Sequence, residues 1–111
     1  IEGIQIVAVV ENEHRNNILY RSNIPARITE DQEAKAIDYT KRILADNDYY
    51  GVLTVEYFIS NGEVIFNEIA PRVHNSGHIT QESATKSQFR AHIEGICGLK
   101  VGKIENRQAT L

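Results

Sequence analysis

The stretch Val52–Ile69, VLTVEYFISNGEVIFNEI, decides the fold of this chain. Two runs rich in β-branched and aromatic residues, Val52–Ile59 and Val64–Ile69, flank the turn sequence SNG at 60–62. This pattern is a strong hairpin signal. Apolar residues occupy both alternating positions of each run, so both faces of the hairpin are expected to be covered by helices or by more chain. The sequence therefore predicts an antiparallel hairpin within a larger mixed structure.

Helix signals lie on either side of this hairpin. Thr29 and Gln32 form a capping box, and the acidic first turn and the helical spacing of later apolar residues predict a helix that ends near position 46. After the hairpin, Thr85 is predicted to be the N-cap of a second helix, with Gln88 at the third helical position. Gly98 is predicted to end that helix in the C′ position.

One further strand is predicted before the first helix. The run Ile4–Val10 alternates around β-branched residues, and Pro25 excludes a helix around itself. The predicted fold class is therefore α+β, an antiparallel sheet with flanking helices. The length of 111 residues fits a single domain, and no repeat or linker divides it.

Composition excludes several classes of function. The net charge of −3 argues against binding to a nucleic-acid backbone, and no apolar run approaches the roughly 20 residues that a membrane-spanning helix needs. The 41% hydrophobic and 24% charged residues are typical of a globular domain. Cys97 is the single cysteine, so no internal disulfide can form and a cytoplasmic protein is expected. The sequence contains no Met, which leads us to expect a piece of a longer protein.

Two glutamates interrupt the apolar strands of the hairpin. A carboxylate in a covered strand is costly unless it pairs with a cation or binds a metal, so Glu56 and Glu68 are candidate metal ligands as well as candidate surface residues. A two-residue turn would place Glu56 opposite Asn67 and direct Glu68 to the other face. A three-residue turn with a bulge at Gly62 would bring both glutamates to one face, within reach of one divalent ion. The sequence permits both turns, and only the second was expected to create a site.

The segment Arg72–His78, RVHNSGH, directly follows the second glutamate and is called here the site loop. Its guanidinium, imidazoles, amide and hydroxyl suit an anion beside a metal, although a well-solvated loop would have a similar composition. A helical zinc site from its two histidines is not expected, because Asn, Ser and Gly separate them. Farther along, Cys97 is expected to be a buried, inert thiol, and His92 is expected to lie on the helix surface or in the core.

These residues resemble the carboxyaminoimidazole ribonucleotide synthetase family of ATP-grasp ligases. The most specific string is NEIAPRVHNSGH at 67–78; GVLTVE at 51–56, ENEH at 11–14, IPA at 24–26, SQF at 87–89 and CGL at 97–99 fit the same pattern. The resemblance covers nearly the whole chain and implies the second half of an ATP-grasp domain. The chain would then be a partial domain, 1–111, of the ATPase subunit of a phosphoribosylaminoimidazole carboxylase.

The resemblance implies a reaction and a set of roles. The family carboxylates aminoimidazole ribonucleotide with bicarbonate, at the expense of ATP and through carboxyphosphate, in purine biosynthesis. By resemblance, Glu56 and Glu68 hold Mg²⁺, and Asn67, Glu68 and His14 contact the nucleotide. Arg72 and His74 are the implied catalytic residues, and together with Asn75 and Ser76 they would face bicarbonate and the ribonucleotide. The parent enzyme is expected to be a homodimer.

The chain departs from the family pattern in two ways. Many ATP-grasp enzymes carry an Asn two residues after the second glutamate, and Ala70 stands there in this sequence, so the metal shell is expected to rest on two carboxylates. The N-terminal domain, the lysine-bearing region that covers the phosphates and the C-terminal domain are not represented. The 111-residue piece is therefore expected to be inactive on its own.

Three other functions remain open from the sequence alone. A formate-using glycinamide ribonucleotide formyltransferase has a similar loop, but it would be expected to show Asp-Thr-Gly where this chain has NSG at 75–77. A stand-alone module could bind nucleotide or metal without catalysis. A fragment of an enzyme could also bind nothing, because half of each shared site would be missing.

Overall fold

The computed structural model describes residues 3–111 and contains two antiparallel sheets with three helices. The predicted α+β class is therefore confirmed, although the strands form two sheets rather than one. The elements in chain order are β1 (Glu11–Arg15), β2 (Ile18–Ile24), α1 (Glu30–Ala45), β3 (Thr54–Ser60), β4 (Glu63–Ala70), α2 (Thr80–Ser83), α3 (Gln88–Ile96) and β5 (Ala109–Thr110). The sheet orders are β1-β2-β5 and β3-β4.

The β3-β4 hairpin turns through Asn61 and Gly62. Both residues have positive φ, 51° and 79°, and Ser60 pairs with Glu63 across the turn. This is the two-residue turn, because an Asn-Gly pair adopts left-handed backbone conformations at little cost. Of the two turns that the sequence permits, the structure thus contains the one that was not expected to create a site.

Helix α1 packs on one face of this hairpin. The Tyr57 hydroxyl lies 2.8 Å from the Thr40 hydroxyl, and the Gln32 amide donates to the Gly62 carbonyl at 3.2 Å. On the opposite face, Phe58 and Ile65 remain 58% and 47% exposed. Within the described residues, α1 therefore covers one of the two faces that the sequence predicts to be covered.

The capping box of α1 is confirmed. The Gln32 backbone N–H donates to the Thr29 hydroxyl at 3.1 Å, and the Thr29 N–H donates to the Gln32 side-chain oxygen at 3.0 Å. Two N–H groups that the first helical turn leaves without partners are satisfied in this way. The helix ends at the predicted place, with Asp46 as its C-cap.

The predicted strand Ile4–Val10 is wrong. It has no strand neighbour within residues 3–111, and a strand requires a hydrogen-bonded partner. Its contacts are side-chain bonds to the C-terminal segment: Gln5 donates to the Gly102 carbonyl at 2.8 Å and accepts from Ile104 N–H at 2.6 Å. The first strand begins one residue later, in the polar segment Glu11–Arg15.

The β1-β2 hairpin was missed, although its turn carries a sequence signal. Asn16 and Asn17 both have positive φ, 53° and 64°, as a two-residue hairpin turn requires. Asn adopts this conformation more readily than most residues do. Strand β1 is polar throughout and β2 is apolar only towards its two ends, so the hydrophobic alternation that normally reveals a hairpin is absent from the sequence.

The N-cap predicted for the second helix is wrong by two residues. Ser87, not Thr85, caps α3, and its hydroxyl accepts from the Arg90 N–H at 3.3 Å. The Thr85 hydroxyl instead accepts from the Glu105 N–H at 3.0 Å, a long-range contact that local sequence does not reveal. The helix ends as predicted: Gly98 has φ 73°.

Helix α3 lies directly against the start of β3. His92, which is half-buried, accepts a hydrogen bond from the Val52 N–H through Nδ1 at 3.0 Å and so joins α3 to the segment before β3. A Cβ atom added at Gly95 would lie 2.8 Å from the Gly51 Cα, so the two backbones touch where neither residue has a side chain. Cys97 is exposed, so the prediction of a buried thiol is wrong.

Candidate active site

A β-bulge brings the two glutamates together. Four residue pairs follow the turn in regular register, ending with Tyr57 opposite Phe66, and the next pair is Glu56 opposite Glu68. Asn67 is therefore the additional residue on β4. Because side chains alternate between faces along a strand, one inserted residue moves Glu68 from the α1 face to the face that carries Glu56. The bulge thus achieves what the sequence analysis attributed to a longer turn.

Glu56 and Glu68, called here the carboxylate pair, are like charges in directly opposite positions. Such a cross-strand pair destabilises a hairpin unless a cation lies nearby. Neither carboxylate forms an ion pair with Lys or Arg within residues 3–111. A ligand oxygen from each glutamate and a ring nitrogen of His74 all lie within 4.8 Å of one another. This geometry fits one divalent ion bound by two carboxylates.

His74 supports the carboxylate pair as a hydrogen-bond donor. Its Nδ1 accepts from the Ser76 N–H at 3.2 Å and lies 2.9 Å from the Ser76 hydroxyl. Since Nδ1 accepts, the ring proton of neutral His74 lies on Nε2, which is 3.2 Å from a Glu56 carboxylate oxygen. The His74 side chain is only 12% exposed, so this orientation is held by packing as well.

The donor set matches a hard cation such as Mg²⁺. Mg²⁺ prefers oxygen ligands and is usually held by one or two carboxylates together with phosphate and water. His74 directs N–H rather than a lone pair at Glu56, so it orients a ligand and does not itself complete the shell. Ala70, which lies at the end of β4 where many ATP-grasp enzymes have Asn, offers no side-chain ligand.

The other predicted site residues have varied surroundings. Asn67 is exposed and donates to Glu56 at 3.3 Å. Ser76 is 6% exposed, and its hydroxyl contacts His74. Asn75 is exposed, and it lines a cleft of about 260 Å³ between β2 and the site loop. Arg72 is exposed and donates to the adjacent Val73 carbonyl at 3.0 Å.

His14 lies apart from these residues in the hydrogen-bonding pattern. It is exposed on β1, opposite Leu19, in the three-stranded sheet. Within the described chain, no hydrogen bond or ion pair joins His14 to the carboxylate pair or to His74. The structure therefore gathers Glu56, Asn67, Glu68, His74 and Ser76, while His14 stays on a separate element.

Sequence reasoning missed Gln88 as part of the site. Its side chain lies in the interior, 5% exposed, and it is bonded to the site loop rather than to its own helix. From the sequence, Gln88 was a candidate helix-capping residue and a member of the SQF string at 87–89, with no role in the site. A Gln at the start of a helix, followed by the apolar stripe of that helix, gives no local sign that its amide reaches back to residue 74.

No helix within residues 3–111 combines the length and the apolar character required to cross a bilayer. The longest, α1, has 16 residues and carries charged side chains along its length. This observation concerns helical spans in the described part of the chain.

The hairpin with its paired carboxylates and the cation-bearing site loop define a protein with a candidate divalent-metal site. A family profile described as the ATP-grasp domain matches residues 1–89. The chain belongs to the ATP-grasp family.

Within that family the similarity is to one kind of enzyme. The chain is 42% identical over 103 residues to the N5-carboxyaminoimidazole ribonucleotide synthase of Bacillus subtilis and 47% identical over 89 residues to that of Staphylococcus aureus (strain COL). These matches cover 92% and 79% of this chain, but only 27% and 23% of the relatives. The chain thus spans about a quarter of the length of the curated relatives that it matches.

Solved structures give the same result. The S. aureus N5-carboxyaminoimidazole synthetase complexed with ADP superposes with a TM-score of 0.84 at 42% identity, over 93% of this chain and 28% of that one. The Aspergillus clavatus synthase in complex with ADP and aminoimidazole ribonucleotide gives 0.75 at 36% identity, over 84% and 26%. The predicted resemblance to the carboxyaminoimidazole ribonucleotide synthetases of the ATP-grasp family is confirmed.

Proposed function

We propose that this chain forms part of an ATP-dependent ligase that carboxylates aminoimidazole ribonucleotide with bicarbonate in purine biosynthesis. The observation that carries the proposal is the carboxylate pair, which is assembled by the Asn67 bulge and oriented by His74. Its support from similarity is the 42% and 47% identity to N5-carboxyaminoimidazole ribonucleotide synthases.

Glu56 and Glu68 would hold Mg²⁺ at the end of the β3-β4 hairpin. When bound there, the ion would neutralise charge on the ATP phosphates. The protein's own part is to keep two like charges facing each other before any ligand arrives. The bulge fixes their separation, and His74 limits the freedom of Glu56 by donating to one of its oxygens. Such preorganisation lowers the cost of binding the metal nucleotide.

Some of the remaining candidate residues would contact the nucleotide, and the others would contact the acceptor. Asn67 and His14 would contact the nucleotide. Arg72 carries a guanidinium with no carboxylate partner among the described residues, and it would bind bicarbonate or a phosphorylated intermediate through paired N–H groups. Asn75, Ser76 and His74 would orient the acceptor side of the reaction, with Ser76 acting through its contact with His74.

The compartment, the oligomeric state and the partners of the enzyme are also part of the proposal. A cytoplasmic compartment accords with a lone, exposed thiol at Cys97, since an oxidising environment would favour its pairing. A homodimeric parent stays a prediction. The substrates proposed are small molecules, and neither nucleic acid nor membrane is proposed as a partner.

The test is an assay of the parent protein of the relatives' length. ADP release is measured with ATP, Mg²⁺ and aminoimidazole ribonucleotide, with and without bicarbonate, and the carboxylated product is identified by mass. We expect ADP release and product to depend on both acceptor and bicarbonate.

A second arm replaces bicarbonate by formate and aminoimidazole ribonucleotide by glycinamide ribonucleotide. Turnover only in this arm would support the formyltransferase alternative and contradict the proposal. Binding of Mg-ATP without turnover in either arm would contradict it in favour of a non-catalytic module.

A further inference from the structure

The buried amide of Gln88 connects helix α3 to both histidines of the site loop. Its side-chain oxygen accepts from the His74 N–H at 2.9 Å, and its side-chain nitrogen donates to the His74 carbonyl at 2.8 Å. The same nitrogen lies 2.9 Å from His78 Nδ1. One amide therefore forms three hydrogen bonds to residues 10 to 14 positions earlier in the chain.

The polarity of this network is determined by the backbone. The His74 N–H can only donate and the His74 carbonyl can only accept, so the Gln88 oxygen and nitrogen cannot exchange places without losing both bonds. The Gln88 nitrogen then has one remaining hydrogen, which is directed to His78. Because that nitrogen only donates, His78 Nδ1 must accept, and the proton of neutral His78 lies on Nε2.

Packing leaves the amide little freedom to move. Gln88 is 5% exposed, its backbone N–H donates to the Thr80 hydroxyl at 2.9 Å, and a Cβ atom at Gly77 would collide with its side-chain oxygen. The His78 ring in turn stacks on Phe89, with centroids 5.5 Å apart and planes at 21°. The NSG sequence of the loop thus has a glycine where the amide needs room.

We propose that Gln88 is a positioning residue of the site: it fixes the His74 backbone beside Glu56 and holds His78 as the Nε2–H tautomer. His78 lines the cleft of about 260 Å³ between β2 and the site loop, together with Asn75 and Ser22. Fixing the tautomer makes His78 Nε2 a hydrogen-bond donor toward its surroundings. The role of Gln88 in catalysis rests on the function proposed above, whereas the predicted tautomer of His78 does not depend on that function.

The first experiment measures the tautomer without substrate. The parent protein is labelled with ¹⁵N in its histidine rings, and the His78 signals are identified by their loss in a His78→Gln variant. We expect an unprotonated Nδ1 and a protonated Nε2 for His78. A protonated Nδ1, or signals averaged between both tautomers, would overturn the proposal whatever reaction the enzyme catalyses.

Two substitutions then test whether Gln88 is the cause. Gln88→Leu removes all three side-chain bonds and should give averaged His78 signals. Gln88→Glu keeps the shape but replaces the donating nitrogen by a carboxylate oxygen, and it should move a proton onto His78 Nδ1; this second variant decides the question if the first does not fold. The matched control is Gln81→Leu, an exposed glutamine of α2, which should leave the spectrum unchanged. A wild-type spectrum in both Gln88 variants would refute the proposal.

The kinetic readout separates positioning from general loss of structure. A displaced loop should lower kcat by roughly tenfold to 100-fold, since small misplacements of reacting groups are costly. KM for ATP should change by less than kcat, because Glu56 and Glu68 stay on the β3-β4 hairpin and lose only the support of His74. Equal loss in ATP affinity and kcat would show that Gln88 only maintains the fold.

Discussion

The two hairpins of this protein are built alike and treat their acidic residues differently. Each turns through two residues of positive φ, and each has a bulge on its second strand. In the β1-β2 hairpin every strand carboxylate has a nearby guanidinium: Glu11 binds Arg27, and Glu13 binds Arg15. In the β3-β4 hairpin the bulge places Glu56 opposite Glu68, and within residues 3–111 neither has an arginine or lysine partner.

The difference separates structural carboxylates from candidate functional ones. A carboxylate that already has a cationic partner is neutralised in the free protein and contributes to local structure. Two carboxylates that face each other destabilise the hairpin, but their negative charge remains available for a cation that binds together with a ligand. Both hairpins have one additional residue in their second strand. The bulge therefore does not distinguish the candidate site; the absence of an arginine or lysine partner for its carboxylates within residues 3–111 does.

The largest effect is expected for Glu68→Gln in the parent enzyme. Loss of one of two carboxylates should lower the ATPase and carboxylation rates together by at least about 100-fold, because a bound metal contributes several kcal/mol at a transferring phosphate. Steady-state assays at saturating Mg²⁺ measure both rates. Glu13→Gln in the other hairpin is the matched control and should change them little.

An unchanged rate in Glu68→Gln would remove that residue from the metal shell. A large loss in Glu13→Gln would erase the distinction between the hairpins, since its carboxylate is already occupied by Arg15 at 2.8 Å.

Insertion of one alanine between Asn67 and Glu68 tests the register directly and should be nearly as damaging. With the bulge retained, the added residue would lie opposite Glu56, and Glu68 would pair opposite Val55 and face α1, because a one-residue shift exchanges the faces of a strand. Asn67→Ala keeps the register and should lose only the contacts of the amide itself, which include the 3.3 Å hydrogen bond to Glu56 and the proposed nucleotide contact. Mg²⁺-dependent nucleotide binding, measured by calorimetry in both variants, distinguishes register from side chain. Similar affinities in the two variants would contradict the role given to the bulge.

A smaller effect is expected at the arginines that follow the two hairpins. Arg72→Ala should lower bicarbonate-dependent turnover by roughly tenfold to 100-fold while Mg-ATP binding is largely retained, since its guanidinium is assigned to the acceptor anion. Arg27→Ala removes a guanidinium that binds Glu11 and should leave turnover near the wild-type value. Equal loss of ATP affinity and turnover in Arg72→Ala would show that this assignment is wrong.

The smallest effect is expected for Glu11→Gln, and it should depend on pH. Hydrogen bonds from the Arg27 side chain and backbone lower the pKa of Glu11 below its usual 4.5. A carboxyl group whose pKa is lowered by folding stabilises the folded state at pH values above its pKa in the unfolded chain. This contribution disappears as the pH falls through the pKa of the group in the folded state. The melting temperature of the variant should therefore lie slightly below that of the wild type at neutral pH. The difference should shrink below pH 4.5, and a constant difference would contradict the ion-pair explanation.

Local signals account for what the sequence predicted correctly. The capping box at Thr29 and Gln32, the Asn61-Gly62 turn and the Gly98 helix end each depend on residues a few positions apart. Glu56, Glu68 and His74 were named as candidate site residues from their residue types and from a specific string, and the structure brings their ligand atoms within 4.8 Å of one another. These features needed no knowledge of distant contacts.

The features that escaped prediction depend on long-range contacts. Ile4–Val10 has the pattern of a strand but no partner strand among the described residues, and Thr85 looks like a cap but bonds to Glu105. No turn residue in the sequence indicates the bulge at Asn67, because the register of the two strands depends on packing along the whole hairpin. Gln88 reaches residues 10 and 14 positions away, beyond any local motif.

The contact between Gly51 and Gly95 has a consequence for how this protein could be redesigned. Even a methyl group at Gly95 would meet the backbone of position 51, so α3 could approach β3 in this way only with glycine there. The helix that begins at Gln88 also holds Val52 through His92. In a mutational scan of α3, most substitutions should therefore be accepted at the exposed positions Arg90 and Ile93. Almost none should be accepted at positions 88, 92 and 95.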